Sequence, residues 1–114
     1  MIEFWHNPRC SKSRQALALL EARNASVQVR RYLEDAPSQS EIERTRAALG
    51  NIPLAEMMRV KDKHFRDLGL SKSDDEATLL AAMVAHPILI ERPIAISGTR
   101  AVIGRPLENV LDLI

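Results

Sequence analysis

The fold of this chain is decided by the stretch His6–Arg14, which reads HNPRCSKSR. The residues before it, Ile2–Trp5, mix β-forming side chains with one acid and predict a short first strand. Pro8 fixes its own backbone angle and pushes the preceding residue into an extended shape, which predicts a turn. The serines after the cysteine are favoured at helix starts. Cys10 is therefore expected in a turn between a strand and a helix.

The predicted first helix leads into a second strand. Ala16, Leu19 and Leu20 are apolar at helical spacing, so the helix is expected to end near Asn24. Side chains in Val27–Tyr32 alternate between two sets, as on the two faces of a strand: Val27, Val29 and Arg31 on one, and Gln28, Arg30 and Tyr32 on the other. The connection is short, which favours a parallel β–α–β crossover with Cys10 where α/β folds carry ligand chemistry.

The middle of the chain, about residues 38–85, is predicted to be a helical block. Ser40 and Glu43 have the spacing of a capping box, and Gly50 is a plausible stop for the helix that they begin. Three further helices are expected in this block, at residues 53–60, 61–68 and 77–85. The last of these is predicted to be well buried because it is apolar throughout.

The last third of the chain predicts two strands and a helix. Ile94–Ser97 and Arg100–Ile103 read as strands joined by a tight hairpin turn. Pro106 is expected at the first position of a final helix through Leu113. The order β–α–β, helical block, β–β–α predicts an α/β fold of the thioredoxin-like type in a single domain spanning residues 1–114. Its four-stranded mixed sheet is flanked by helices, with a helical insertion between its two halves at about residues 38–85.

Composition and charge exclude several classes of protein. The chain has 114 residues, and 16 basic against 15 acidic side chains leave a formal charge of +1, which is no basis for nucleic-acid binding. One cysteine excludes an intramolecular disulfide and a multi-thiolate zinc site. The three histidines, His6, His64 and His86, lack a clustered ligand spacing. Without a signal peptide or a membrane-spanning stretch, the expectation is a cytoplasmic monomer that binds neither nucleic acid nor membrane.

Cys10 is the strongest candidate for chemistry. A thiol at a helix N-terminus has a lowered pKa because backbone N–H groups and the helix dipole favour the thiolate, and they also form an anion cradle. Arg9, Lys12 and Arg14 add positive charge nearby. His6 is a possible hydrogen-bond partner, and Ser13 is placed to point its hydroxyl at the sulfur. The alternative is that Cys10 is an inert, small hydrophobic residue.

Three arginines elsewhere are candidates for an oxyanion site. Arg59, Arg92 and Arg105 carry planar guanidinium groups that match tetrahedral oxyanions in a bidentate way. Arg92 and Arg105 each precede a proline, and an X-Pro pair at the start of a strand in this layout is a candidate cis peptide. The alternative for each arginine is a solvated side chain, unless all three share one site.

The stretch His6–Arg14 closely resembles the active-site segment of the glutaredoxin-coupled arsenate reductase family. Further matches follow in order over essentially the whole chain: Met58–Lys61, Leu68–Leu70, His86–Ile94, Gly104–Pro106 and Val110–Leu111. The resemblance implies that Cys10 is the nucleophile and that His6 and Ser13 tune its thiolate. It also implies that the oxyanion ligands are Arg59, Arg92 and Arg105. The family fold is thioredoxin-like.

The resemblance implies a reaction that uses no metal and no tightly bound cofactor. Arsenate docks at the helix N-terminus, and the Cys10 thiolate forms a covalent thiol–arsenate adduct. Glutathione, acting as co-substrate, releases arsenite and leaves a mixed disulfide on Cys10, which glutaredoxin resolves. The expected role is arsenic detoxification, with arsenate or a similar oxyanion, glutathione and glutaredoxin as partners.

Two other functions remain open for this fold, and a third is disfavoured. A regulator that resembles Spx-type transcription factors would bind RNA polymerase, although their Cys-x-x-Cys switch is absent because Ser13 occupies its second position. A glutathione-dependent thiol oxidoreductase on another substrate would keep Cys10 without needing all three arginines. A low-molecular-weight phosphatase is disfavoured, because Arg14 follows Cys10 by four positions and the loop is too short for that cradle.

Overall fold

The computed structural model describes residues 1–114 and contains one four-stranded mixed sheet. Its strands are β1 (Ile2–Trp5), β2 (Val27–Arg30), β3 (Ile94–Ser97) and β4 (Arg100–Ile103). The strand order is β2-β1-β3-β4, with β2 parallel to β1 and the other two pairs antiparallel. The predicted α/β fold, with this mixed sheet between helices, is confirmed.

Helices cover both faces of the sheet. The α-helices are α1 (Ser11–Ala22), α2 (Gln39–Ala48), α3 (Lys63–Asp67) and α4 (Glu76–Ala85). Shorter 3₁₀ helices lie at Leu54–Met57, Pro87–Leu89 and Leu107–Leu113. The predicted helical insertion is confirmed, since α2, α3 and α4 all lie between β2 and β3. The longest helix has 12 residues, and none combines the length and apolar character required to cross a membrane.

Two predicted boundaries are wrong in the second strand and the second helix. β2 ends at Arg30 rather than Tyr32, because the chain turns directly after it. The N–H groups of Glu34 and Asp35 donate to the carbonyl of Arg31 and close this turn. The capping box is formed by Ser38 and Glu41, not by Ser40 and Glu43. Glu41 occupies this position because its carboxylate also pairs with Arg30 of β2, a tertiary contact that the local pattern does not encode.

The helical predictions farther along the chain are confirmed only in part. The segment 53–60 contains a single 3₁₀ turn, and the segment 61–68 contains the five-residue helix α3. α4 is present, but only Leu79 and Met83 are fully buried along it. Pro106 caps the final segment instead of entering it, and that segment is a 3₁₀ helix rather than an α-helix.

The alternation of side chains along the strands builds two separate cores. Trp5 and Ile94 point to the insertion and pack with Ile42, Met57 and Leu89. The opposite face of the sheet buries Ile2, Phe4 and Ala95 against Ala16 and Leu20 of α1 and Val110 of the final 3₁₀ helix. Because strand side chains alternate between faces, one short sheet serves both cores.

The strand register places three distant segments at one edge of the sheet. Trp5 pairs with Ile94 across the antiparallel β1–β3 contact, so the turn after β1 faces the segment before β3. The β3–β4 hairpin then returns the chain to this edge, where the N–H of Gly104 donates to the carbonyl of Pro93 at 2.9 Å. A Cβ on Gly104 would lie 2.7 Å from Cγ of Pro93, so only glycine allows this close approach.

Candidate active site

Cys10 is the N-cap residue of α1, and its side chain is partly exposed. Its backbone is extended, with φ −92° and ψ 121°, and its carbonyl accepts from the N–H of Arg14 at 3.0 Å. The turn is closed by the N–H of Cys10, which donates to the carbonyl of Asn7 at 3.0 Å. The predicted position of the thiol, between β1 and α1, is therefore confirmed.

The surroundings of Cys10 favour its thiolate. Burial raises the pKa of the thiol, but hydrogen bonding from the backbone N–H of Ser13 and the positive charge of Arg92 outweigh that effect. The pKa of Cys10 therefore lies below its ordinary value. A larger fraction of thiolate at neutral pH makes the sulfur a better nucleophile than an ordinary free cysteine.

His6 and Ser13 contact each other rather than the sulfur. The Ser13 hydroxyl lies 2.7 Å from Nδ1 of His6 and accepts from the N–H of Asn7 at 3.1 Å. Burial, followed by the charges of Arg31 and Arg14, lowers the pKa of His6, so its imidazole is neutral at pH 7. The expectation that the Ser13 hydroxyl points at the sulfur is wrong, because this hydroxyl is engaged inside the turn and only the serine N–H faces the thiol.

Arg59, Arg92 and Arg105 line one open pocket of about 500 Å³. An isolated bridge between Met58 and Ile90 holds two of their segments side by side, and the N–H of Arg59 donates to the carbonyl of Leu89 at 2.8 Å. Arg105 joins them because its Nε lies 2.9 Å from the carbonyl oxygen of Arg92. The Arg92–Pro93 peptide, a candidate from the sequence, is cis, and so is the Arg105–Pro106 peptide, for which no such prediction was made.

The three guanidinium groups have different partners. Nη2 of Arg59 lies 2.6 Å from Oδ2 of Asp62, and Nε of Arg105 lies 3.0 Å from Oε1 of Glu91. In contrast, Nε and Nη1 of Arg92 are buried and have no hydrogen-bond partner. Buried donors are nearly always satisfied in folded proteins, so these two nitrogen atoms identify a place for an acceptor. Arg92 is also the arginine whose charge acts on Cys10.

Three residues of this region were not predicted as site residues. Tyr32 is fully buried, and burial raises its pKa to about 12 although Arg92 and Arg59 oppose the rise, so its hydroxyl remains protonated. Asp62 and Glu91 line the arginine pocket. One signal was available for Tyr32: it follows the carboxyl end of β2, and β2 is parallel to β1, so both strand ends share an edge with Cys10.

The remaining histidines lie outside the thiol turn. His64 is exposed, and its Nδ1 lies 2.7 Å from Oδ1 of Asp62, whereas His86 is exposed at the end of α4. No three His, Cys, Asp or Glu side chains cluster in a way that could hold a metal ion. Cys10 itself does not line the arginine pocket, but Arg92 belongs to the pocket and its charge acts on the thiol. A thiol of lowered pKa at a helix N-terminus, linked in this way to a cationic pocket, suits attack on an oxyanion.

Comparisons with known proteins agree in family and fold. Residues 5–113 match the model of the ArsC family. An arsenate reductase from Neisseria meningitidis is 46% identical over 110 residues, covering 96% of this chain and 94% of that protein. One from Haemophilus influenzae is 42% identical over 111 residues, covering 96% of each. The solved arsenate reductase from Vibrio cholerae superimposes with a TM-score of 0.93 at 43% identity, covering 99% of this chain and 97% of that one.

Proposed function

The chain belongs to the ArsC family, and from that premise we propose that it reduces arsenate to arsenite through a covalent adduct on Cys10. Glutathione and glutaredoxin supply the reducing thiols. The observation that carries the proposal is the pairing of a thiol of lowered pKa with Arg92, which has two buried and unpartnered nitrogen atoms. The relatives named as arsenate reductases support the choice of oxyanion.

In the first step, arsenate binds between the N-terminus of α1 and the arginine pocket. Nε and Nη1 of Arg92 donate to its oxygen atoms, and Arg59 and Arg105 donate through nitrogen atoms that their carboxylate partners leave free. The backbone N–H groups of the first helical turn add further donors on the side of the thiol. The oxyanion is thereby held beside the sulfur, in reach of attack.

In the second step, the Cys10 thiolate attacks arsenic. A sulfur–arsenic bond forms and one arsenic–oxygen bond breaks, and the departing oxygen takes up protons from the solvent and leaves as water. Arsenic stays pentavalent at this point. The arginines stabilise the charge on the arsenate oxygen atoms in the transition state. His6 and Ser13 hold the turn that presents the thiolate. Their side chains are hydrogen-bonded to each other, and the Ser13 hydroxyl also accepts from the backbone of this turn.

The third step needs thiols from outside the chain. Glutathione attacks the Cys10 sulfur, and the electron pair of the sulfur–arsenic bond passes to arsenic, which departs as trivalent arsenite. A mixed disulfide between Cys10 and glutathione remains, and the glutaredoxin thiolate attacks its glutathione sulfur to release Cys10. The chain holds a single cysteine and cannot supply either thiol itself. We place this cycle in the cytoplasm, where thiols are kept reduced.

The test is arsenate-dependent oxidation of NADPH in the presence of glutathione, glutaredoxin and glutathione reductase. We expect turnover that requires all components and is abolished in Cys10→Ser, a variant that keeps the size of the side chain. Circular dichroism and urea unfolding confirm that both proteins are folded. Turnover that does not exceed that of Cys10→Ser contradicts the proposal.

The wild-type protein and Cys10→Ser also distinguish the proposed reaction from the two other candidate functions. A glutathione-dependent oxidoreductase on another substrate would reduce a glutathione mixed disulfide in this assay and be indifferent to arsenate. A regulator of the Spx type would capture RNA polymerase without turning over arsenate. If the protein turns over arsenate and does not capture RNA polymerase, the result supports the proposed reaction and neither of the two other functions.

A further inference from the structure

Glu91 is one of two carboxylates, with Asp62, in the wall of a pocket that also contains three arginines and a lysine. Its Oε1 accepts from the backbone N–H of Arg92 at 3.1 Å and lies 3.0 Å from Nε of Arg105. Its Oε2 accepts no hydrogen bond within the chain. The side chain is 22% exposed, and Oε2 is not one of the buried atoms that lack a partner, so a ligand in the pocket can reach this oxygen.

The free groups of the pocket are therefore of two kinds. Nε and Nη1 of Arg92 are donors without an acceptor, and Oε2 of Glu91 is an acceptor without a donor. A ligand that satisfies both must accept hydrogen bonds at some oxygen atoms and donate one from another. An oxyanion with no proton satisfies the arginines but leaves a carboxylate oxygen facing a negative charge.

Tetrahedral oxyanions differ in this respect. Arsenate and phosphate keep at least one hydroxyl group at neutral pH, whereas sulfate is fully ionised and has only acceptors. We propose that Glu91 is a specificity-determining residue, whose Oε2 accepts a hydrogen bond from the hydroxyl of a protonated oxyanion and thereby excludes sulfate. This inference rests on the proposed function, because it concerns the same pocket and deepens the account of its substrate.

Asp62 lines the same pocket and does not qualify for this role. Its Oδ1 accepts from the N–H of His64 at 2.9 Å and lies 2.7 Å from the ring of that residue. Its Oδ2 pairs with Arg59. Both oxygen atoms are engaged, so Asp62 positions Arg59 and has no acceptor to offer a ligand.

The variant Glu91→Gln tests whether Glu91 selects between anions or only holds Arg105 in position. The glutamine keeps the length of the side chain and an oxygen for Arg105 and for the N–H of Arg92. It replaces the free carboxylate oxygen with an NH₂ group, which donates to sulfate and cannot accept from a hydroxyl. If Glu91 only held Arg105 in place, the variant would change the affinity for both kinds of anion in the same proportion.

The experiment is isothermal titration calorimetry with inorganic phosphate and with sulfate at pH 7 and constant ionic strength. We expect the wild-type protein to bind phosphate at least about tenfold more tightly than sulfate, and Glu91→Gln to reduce that ratio by about tenfold or more. Glu43→Gln is the matched control, because it removes one exposed carboxylate on α2 whose side chain is hydrogen-bonded to Gln39. It is expected to keep the wild-type ratio.

Three results overturn the inference: equal binding of both anions by the wild type, an unchanged ratio in Glu91→Gln, or no binding of either anion. The arsenate assay reports separately on the proposed function, with sulfate added as a competitor. Arsenate turnover that sulfate inhibits equally in wild type and Glu91→Gln refutes the role of Glu91 and leaves the reaction intact. Selective phosphate binding without arsenate turnover refutes the reaction and leaves the selectivity intact.

Discussion

Arg30 at the end of β2 and Arg92 before β3 both place a guanidinium group largely out of solvent, with opposite surroundings. The Arg30 group donates to both carboxylate oxygens of Glu41 and to the carbonyls of Asp35 and Ala36. It also lies over the ring of Trp5, with 5.9 Å between Cζ and the ring centroid. Arg92 instead leaves two buried nitrogen atoms without any partner.

The difference separates a residue that stabilises the fold from one whose donors are free for the ligand that we propose. A buried donor without an acceptor costs about 1–3 kcal/mol, more when it is charged, so an acceptor supplied by a ligand would be favourable at Arg92. Arg30 is satisfied on all sides and joins the sheet to the start of α2. The role of a buried arginine is therefore indicated by whether its nitrogen atoms have hydrogen-bond partners, and not by the residue type alone.

The largest expected effect comes from Arg92→Ala. We expect kcat/KM for arsenate to fall by about 100- to 1000-fold, because a preorganised donor to the oxyanion is lost and the pKa of Cys10 rises. The free energy of unfolding should stay the same or increase, since two unsatisfied donors disappear. The coupled NADPH assay and urea unfolding measure the two quantities, and a comparable loss in both would make Arg92 a structural residue.

Arg30→Ala should give the reverse pattern. Its removal leaves Glu41 without its main partner and uncovers the ring of Trp5, at an expected cost of about 2 kcal/mol in the free energy of unfolding. Activity per folded molecule should remain within about twofold of the wild type, because no contact of this side chain reaches the thiol turn. An activity loss with unchanged urea unfolding would erase the contrast with Arg92.

The smallest effect concerns the pH dependence of the Arg30 pair. Hydrogen bonding from Arg30 lowers the pKa of Glu41 from 4.5 to about 2. A carboxyl whose pKa is lowered in the folded state contributes stability above its unfolded pKa and loses it as the pH falls through the folded value. Because Glu41 is partly exposed, we expect Glu41→Gln to cost about 1 kcal/mol at pH 6.

This difference between Glu41→Gln and the wild type should shrink below about pH 4 and vanish near pH 2. Urea unfolding of both proteins from pH 6 downwards measures it. A difference that is independent of pH would mean that the glutamine disturbs the helix start by its shape and not by its missing charge.

The sequence was sufficient to predict features that depend on neighbouring residues. The strands, the hairpin and the position of Cys10 follow from alternation and turn residues, whereas the X-Pro pair at Pro93 indicates only a candidate for a cis peptide. The register of α2 was missed because the Ser40 and Glu43 pattern competes with Ser38 and Glu41, and only the contact with Arg30 decides between them.

Features that depend on distant residues were not accessible in the same way. The three arginines were singled out as candidates, but their common pocket depends on the bridge between Met58 and Ile90 and on the return of the β3–β4 hairpin. The role proposed for Glu91 depends on which of its oxygen atoms is free, which no sequence pattern reports. Tyr32 was assigned to β2 because the alternating pattern of that strand was extended two residues beyond its end at Arg30.

The β3–β4 hairpin has a practical consequence for studying the protein. Arg92 and Arg105 stand at its open end, and the Gly98–Thr99 turn stands at the other end, about 13 Å away along four-residue strands. Both turn residues are exposed. A fluorophore or a short affinity tag inserted at this turn would therefore lie away from the arginine pocket, and attachment to a surface through it would leave Cys10 accessible.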